Sequence, residues 1–521
     1  MNVFSKFGET LHSVDAHALL KSIGLEQMMS DAPTDHKYLA YLSGGILASA
    51  AVLFVGNRLF HDRLSSWNLP GPKSSLLPID LFKGHKNQHQ LHLLLDDYVK
   101  TYGETFAFNY KGQPVVATTD EDIIHKILWK EFPNFENRKF FVEMPWPCQH
   151  MVTMAKGAKA KMIRNLLKAV LDAKSIKNNW AHFQEANQDV EELLRDAALN
   201  LLEVDSTSLA NGYIMQIITK MAFSLDCSNQ SDLNKQLVQL SHLFTRPPTW
   251  LQSCSSLPII GNLLKLSPWG FNSSLHQFIK IATDIVVERR KEKNREPQDV
   301  LDVLLAAQSK DSNISTEILL AQAIVLLTVV HASTATTISI ATYYIAKHKD
   351  VQRRLQQEID SISMEDGFPS WEHLHKQLPY LGQVVNETLR LYPSAFMLMR
   401  ECTKPTTVNG ISFEKGDGVL IPTYSMHRDP KVFTDPEQFN PDRFETKPSR
   451  HYYPFGDGYR MCPGKEMALS EIKTYLASML KNFDLSLVDE NQELCVKSYI
   501  SAQTTMAVDE PIQIRVQKRR H

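Results

Sequence analysis

The sequence predicts a mainly α-helical fold with small β-sheets (α+β), and three observations lead there. Helical patterns recur over long stretches: 159–171, 180–201, 211–223, 275–293 and 322–347. Beside them stands one clear β-hairpin, Phe106 to Ala117, with its turn at Lys111-Gly112. No repeat or low-complexity segment interrupts the order.

Composition narrows the class. The chain has 521 residues, 43% of them hydrophobic, and a formal net charge of −2, which gives no support for a nucleic-acid partner. Its six cysteines (148, 227, 254, 402, 462 and 495) are scattered without a CxxC pair. That pattern argues against a zinc site or a disulfide framework and fits a reducing compartment.

The organisation follows from the N-terminus onward. Residues 1–37 form a polar head, and the run from Tyr38 to Gly56 carries no charge and is rich in Ala, Leu, Val and Gly. It is long enough to cross a bilayer core, so 38–57 is expected to be a retained transmembrane helix, the alternative being a buried core helix. Arg58, Arg63 and Lys73 follow it with only Asp62 opposing them, which places the main domain in the cytosol. The linker 58–73 ends in Leu69-Pro70-Gly71-Pro72, a stiff turn. Residues 74–521 are read as one domain.

Within that domain, Asp120 to Lys130 is an amphipathic helix with an acidic cap, following the hairpin. Leu251 to Gly270 is too apolar for an ordinary exposed loop, so it either packs in the core or meets a membrane surface. Glu387 and Arg390 lie three apart on a helical run, on one face, able to pair. Pro441-Asp442-Arg443-Phe444 follows, and then the loop Phe455-Gly456-Asp457-Gly458-Tyr459-Arg460-Met461-Cys462-Pro463-Gly464 runs directly into a helical segment. A thiolate at Cys462 would be a strong donor to iron, and the positive end of the helix favours the anion. Glycines there let the backbone approach a large flat ligand, and Arg460 could neutralise a carboxylate on it.

Phe455, Gly458, Arg460, Cys462 and Gly464 resemble the haem-binding signature of the cytochrome P450 superfamily. The resemblance covers nearly all of residues 70–521: the hinge, Glu387/Arg390, Asp442-Arg443-Phe444 and the Cys462 loop appear in the family's order. It is nearest to the microsomal branch that includes drug- and steroid-oxidising enzymes and an endoperoxide isomerase. The resemblance implies the cytochrome P450 fold and haem b, with Cys462 as iron ligand and Arg443 joining the Glu387–Arg390 pair. Cofactor contacts are implied for Arg164, Arg400, His427, Phe455, Arg460 and Gly464, although Ala160 stands where a tryptophan usually accompanies the residue at Arg164. It also implies an endoplasmic reticulum location, a lipophilic substrate such as a sterol, terpenoid or fatty acid, and electrons from NADPH through a reductase, with cytochrome b5 as a further donor.

The pattern breaks on the long apolar helix. Aligned on the family motif, Ala332 takes the place of the acid, Ser333 that of the catalytic threonine, and Thr334 stands beside it. The acid–alcohol pair delivers protons for O–O scission, so protons here must come through water, His331 or the substrate. His331 reads either as a packed polar residue or as a replacement relay. Three functions follow: a monooxygenase, an isomerase or dehydratase of lipid peroxides that needs no reductase, and a non-enzymatic haem carrier. Substrate contacts are expected from 132–150, 326–334, 394–398 and 502–506.

Overall fold

A helix that is apolar all round needs neighbours on every side, and Thr316–Lys347 is such a helix. The computed structural model describes residues 63–72, 90–110, 113–140, 146–229, 231–246, 272–292, 298–362, 368–446, 450–500 and 504–520. The expected transmembrane span, the Leu251–Gly270 segment and the Lys111-Gly112 turn lie outside the described residues. The chain divides into two compact units. One is drawn from residues 1–145, 247–273 and 399–421, the other from 146–246, 274–398 and 422–521.

The first unit is built on the hairpin. Strands β1 (Thr105–Tyr110) and β2 (Gln113–Thr118) pair antiparallel from Thr105↔Thr118 to Tyr110↔Gln113. β2 continues parallel to Gly418–Ile421, beyond which lies Leu398–Glu401. β2 is buried along most of its length, as its Pro-Val-Val-Ala core requires of a central strand. Helix α1 (Leu91–Tyr102) covers β1, with the Tyr98 ring edge-on to Phe106 and Phe108. After β2, the Asp120 carboxylate accepts the Ile123 N–H at 3.0 Å and starts α2 (Glu121–His125), which runs on as one π-turn, Lys126–Lys130.

The hinge belongs to this unit too. Arg63 pairs with Asp417 at 2.5 Å, and Trp67 Nε1 donates to the Ser412 carbonyl at 2.8 Å. The Ala107 N–H donates to Pro70 O at 2.9 Å, so the turn is laid along β1. A Cβ on Gly71 would stand 1.9 Å from the Ala107 carbonyl oxygen. Glycine is required by that close approach.

The second unit is helical: α3 (Gly157–Val170), α4 (Trp180–Asn200), α5 (Ser206–Phe223), α6 (Asp232–Thr245), α7 (Asn272–Lys291), α8 (Thr316–Lys347), α9 (Lys349–Asp360), α10 (Pro379–Leu391) and α11 (Lys465–Asn482). A three-stranded sheet (Glu203–Asp205, Gln513–Lys518, Phe483–Leu487) and the ribbon Val496–Ile500/Thr504–Val508 complete it. Among the described residues α8 is the one helix apolar and long enough to cross a membrane, but 89% of its most apolar window is buried inside the protein. Its many hydroxyls would be costly there if left without partners. Thr328, Thr334, Thr337, Ser339 and Thr342 each donate to the carbonyl four residues back, at 2.6 to 3.1 Å. The β-branched residues that disfavour an isolated helix are thus held by burial.

Gly71→Ala should loosen the 69–72 segment from β1, costing about 1–3 kcal/mol of stability as other overpacked sites do. Thermal unfolding and limited proteolysis at the hinge measure it. Unchanged values would mean that the turn can move away from Ala107 freely.

Candidate active site around Cys462

The Cys462 loop is shaped by its own backbone. Gly456 and Gly458 have φ near +70°, a left-handed region that a side chain would strain. The Gly456 N–H closes on Tyr453 O at 3.0 Å, and the Cys462 N–H closes on Phe455 O at 2.9 Å. Cys462 is half-buried and lies just ahead of α11, whose first cap is Gly464. Four free cysteines accompany it among the described residues, and burial raises the thiols of Cys148, Cys227, Cys402 and Cys495, Cys148 to about 12. These are poor thiolates.

Behind the loop stands a charged clamp with no exposure. Arg390 Nε and Nη2 donate to the two Glu387 oxygens at 2.7 and 2.8 Å, and both residues are fully buried. Arg443 Nε adds a third bond to Glu387 at 3.3 Å, and the Asn440 N–H a fourth at 2.9 Å. Arg390 reaches the carbonyls of His427, Pro436 and Gln438 with its other donors. Arg443 holds those of Asp435 and Thr434. The structure therefore brings Glu387, Arg390 and Arg443 together and uses them to fix residues 434–440.

His427, for which the resemblance implies a cofactor contact, bonds the Arg390 carbonyl through Nδ1 at 3.2 Å and accepts the Tyr453 N–H at Nε2 at 2.8 Å. Both nitrogens are engaged by backbone, so the ring is a neutral bolt from the clamp to the Cys462 loop. Burial first, then the Arg428 charge, push its pKa down to about 3.

The other cations fall as follows. Arg460 is buried, and its Nη2 donates to the carbonyls of Val152 and Ala155 at 3.3 and 3.2 Å, tying the loop ahead of α3 to the Cys462 loop. Arg164 projects from α3; burial lowers its guanidinium, and attraction to the Cys462 sulfur partly offsets this. Ala160 is buried one turn before it. Phe455 lies under the Lys465 ammonium at 5.9 Å, and a Cβ on Gly464 would meet Leu171 at 3.8 Å. Arg400 is buried in the first unit, in strand Leu398–Glu401, where its Nη1 donates to Met399 O at 2.8 Å.

On α8 a π-turn, Leu326–Val330, precedes the altered motif. It inserts one residue into the helical ladder, a device common at functional sites. Ser333 and Thr334 both donate to the Val330 carbonyl, at 3.2 and 3.1 Å. Ser394 and Thr337 close on the Ser333 carbonyl, at 3.4 and 3.0 Å, so the loop 394–398 is laid on this turn. His331, read from the sequence either as a packed polar residue or as a relay, is packed between α5 and α6. Its Nε2 faces the Asn211 carbonyl on α5 at 3.1 Å and its Nδ1 the Ser241 hydroxyl on α6 at 3.0 Å. Burial pushes its pKa down to about 3, so the ring is held neutral.

Two residues carry weight that the sequence did not reveal. Gln322 accepts the Val152 N–H at 3.0 Å and donates to His150 O at 2.7 Å, pinning residues 150–152 to α8. A lone amide in an apolar helical run was the available signal. Glu471 on α11 is fully buried, and nothing in its local sequence marks it.

The donor set fits haem. The described residues contain no group of three or more His, Cys, Asp or Glu side chains that could hold a bare metal ion. A half-buried thiol just ahead of a helix, two neighbouring guanidiniums and a glycine-lined loop suit instead a metal that brings its own equatorial ligands.

A family model described as Cytochrome P450 matches residues 69–505. Cytochrome P450 3A5 of Homo sapiens is 29% identical over 492 residues, covering 91% of this chain and 96% of that protein. Cytochrome P450 3A6 of Oryctolagus cuniculus is 28% identical over 490 residues, with coverage of 91% and 96%. Lithocholate 6-beta-hydroxylase of Mesocricetus auratus is 29% identical over 464 residues, covering 85% and 90%.

Glu387→Ala should cost about 3–5 kcal/mol, because it leaves Arg390 buried without its partner. The readout is the yield of folded protein, and a normal yield would contradict the clamp's role. Acid sensitivity is a second outcome. His331 and His427 stay neutral in the fold down to about pH 3 but take up protons near pH 6.5 when unfolded. The unfolded chain binds more protons in that window, so stability should fall as pH drops from 6.5 toward 3. Denaturant unfolding at pH 7 and pH 5 measures the slope, which His331→Gln should flatten.

Proposed function

The chain belongs to the cytochrome P450 family, and we propose that it inserts one atom of dioxygen into a lipophilic small molecule with electrons from NADPH through a membrane reductase. The observation that carries this reading is the Cys462 loop, held by an intact charged clamp at the start of α11. Haem b, when bound, supplies an iron whose thiolate ligation promotes O–O scission.

The chain's own residues have separable tasks in this reading. Cys462 is the ligand, kept ionised by the helix end. Arg164 and Arg460 neutralise the cofactor's carboxylates, and Phe455 and Gly464 shape the surface on the thiolate side. Ser333 and Thr334 orient protons, while Leu326–Val330 and 394–398 present apolar walls that exclude water. The relative named as a lithocholate hydroxylase supports a sterol-like substrate over other lipids. Placement at the endoplasmic reticulum, facing the cytosol through the 38–57 anchor, and cytochrome b5 as an additional electron donor complete the reading.

A second reading rests on Ala332. A site without the distal acid suits rearrangement of a lipid peroxide, which needs neither external protons nor electrons.

Labelled dioxygen decides between them. With reductase and NADPH, one labelled atom should enter the product. Conversion of a lipid hydroperoxide without reductase, and without label from dioxygen, would select the isomerase. Cys462→Ser should abolish the red-shifted carbon-monoxide band of the reduced protein, since an alcohol is a poorer donor than a thiolate. Retention of that band would move the ligand elsewhere.

A further inference from the structure

At the end of α6 stands a cation that the fold does not balance. Arg246 closes the helix, its backbone N–H donating to the His242 carbonyl at 2.8 Å. A helix C-terminus favours a positive side chain, which accounts for the charge but not for its surroundings. One guanidinium nitrogen, Nη1, donates to the Val508 carbonyl at 3.3 Å. Nε is buried and has no hydrogen-bond partner. Burial lowers the guanidinium pKa, and Tyr499 and then Asp509 only partly offset this.

The groups around it answer each other instead. Asp509 takes the Lys497 ammonium on one oxygen at 2.5 Å and the Tyr499 hydroxyl on the other at 3.4 Å. Two cations thus share one carboxylate, and the cluster carries a net positive charge. Tyr499 stays protonated, since burial raises its phenol to about 12. His242, one turn back on α6, holds the Asn211 side-chain oxygen at 3.2 Å, and the ring of His331 lies 6.2 Å from its own. Both imidazoles are kept neutral by burial, with the Arg246 charge adding to it. No acid among the described residues therefore pairs with Arg246. Its Nε–Nη2 edge, the side on which a guanidinium takes a carboxylate in two parallel bonds, is left open.

The ribbon relates this edge to the distal motif. Val508 ends the strand Thr504–Val508, and two residues earlier the Met506 N–H donates to Ser394 O at 3.0 Å. The Ser394 hydroxyl in turn reaches the Ser333 carbonyl. Two strand residues span about 7 Å. Arg246 and Ser333 are thus joined by a path well within the length of a sterol or a fatty chain.

From this geometry we propose that Arg246 anchors the head group of the substrate, and that the substrate is a lipophilic carboxylic acid. Its carboxylate takes the Nε–Nη2 edge and supplies the missing counter-charge, while its apolar body runs along the ribbon toward Ser333. The inference rests on the oxygenation reading for what happens at the far end of the molecule, and not for the anchoring. A fatty chain and a steroid skeleton can each carry such a carboxylate, and the head-group contact is the same for both.

Binding to the haem-loaded protein is read from the shift of its haem absorption band and by calorimetry, with palmitate, cholanate and the methyl ester of each. At least one acid should bind about tenfold more tightly than its ester, the worth of a charge-assisted hydrogen bond. Arg246→Gln should bring acid and ester to equal affinity while leaving the ester's own affinity unchanged. Arg246→Lys keeps the charge without the fork and should recover part of the preference. Because Gln removes a charge that lacks a partner, this variant should melt no lower than wild type. Equal affinity within both acid–ester pairs in wild type overturns the anchor, as does an acid preference that survives in Arg246→Gln. A marked fall in melting temperature would make the guanidinium a structural partner, and overturns it too. An acid preference that Arg246→Gln abolishes, with no atom from dioxygen entering the bound acid, leaves the anchor standing and overturns the oxygenation reading alone.

Discussion

The second unit depends on the buried contact between Glu387 and Arg390. Two ions with no exposure are tolerable only when nearly every donor and acceptor is answered, and here the surrounding carbonyls, Arg443 and the Asn440 amide provide the answers. The pair is therefore less a source of stability than an organiser. It gathers residues 434–440 and the His427 carbonyl around one guanidinium. His427 then carries the order forward to Tyr453, and the hydrogen bonds of Tyr453 and Phe455 set the thiol loop. The position of Cys462 is in this sense decided some seventy residues upstream.

A similar economy governs α8. Its hydroxyls turn inward on their own helix, which lets a sequence rich in Ser and Thr remain buried. Where the π-turn breaks the ladder, the Val330 carbonyl collects two side-chain hydroxyls. The distal motif thus keeps its alcohols while lacking its acid, and His331 faces away from them toward α5 and α6.

How much of this the sequence showed follows from the range of each interaction. The hairpin, the helical periods and the Glu387/Arg390 spacing are local patterns, and the structure forms these elements with ends shifted by a few residues. The π-turn was invisible, since it changes a hydrogen-bond register and not a residue pattern. The bonds of His427 could not be read either, since they go to two backbone atoms at 390 and 453, far from it in the chain. Arg63 is similar: it reads as a cation flanking an apolar span, and its partner Asp417 lies 354 positions away. Glu471 escaped because an acid on a helix is ordinarily a solvated one, and only burial makes it unusual.

The stitched segment at 63–72 has a mechanical meaning. Arg63, Trp67, Pro70 and Gly71 fasten it to three different stretches of the first unit: Asp417, Ser412 and Ala107. A chain held at successive points cannot swivel about any one of them. Whatever precedes Arg63 must leave that unit from a set place and in a set direction, as a lever leaves its mount.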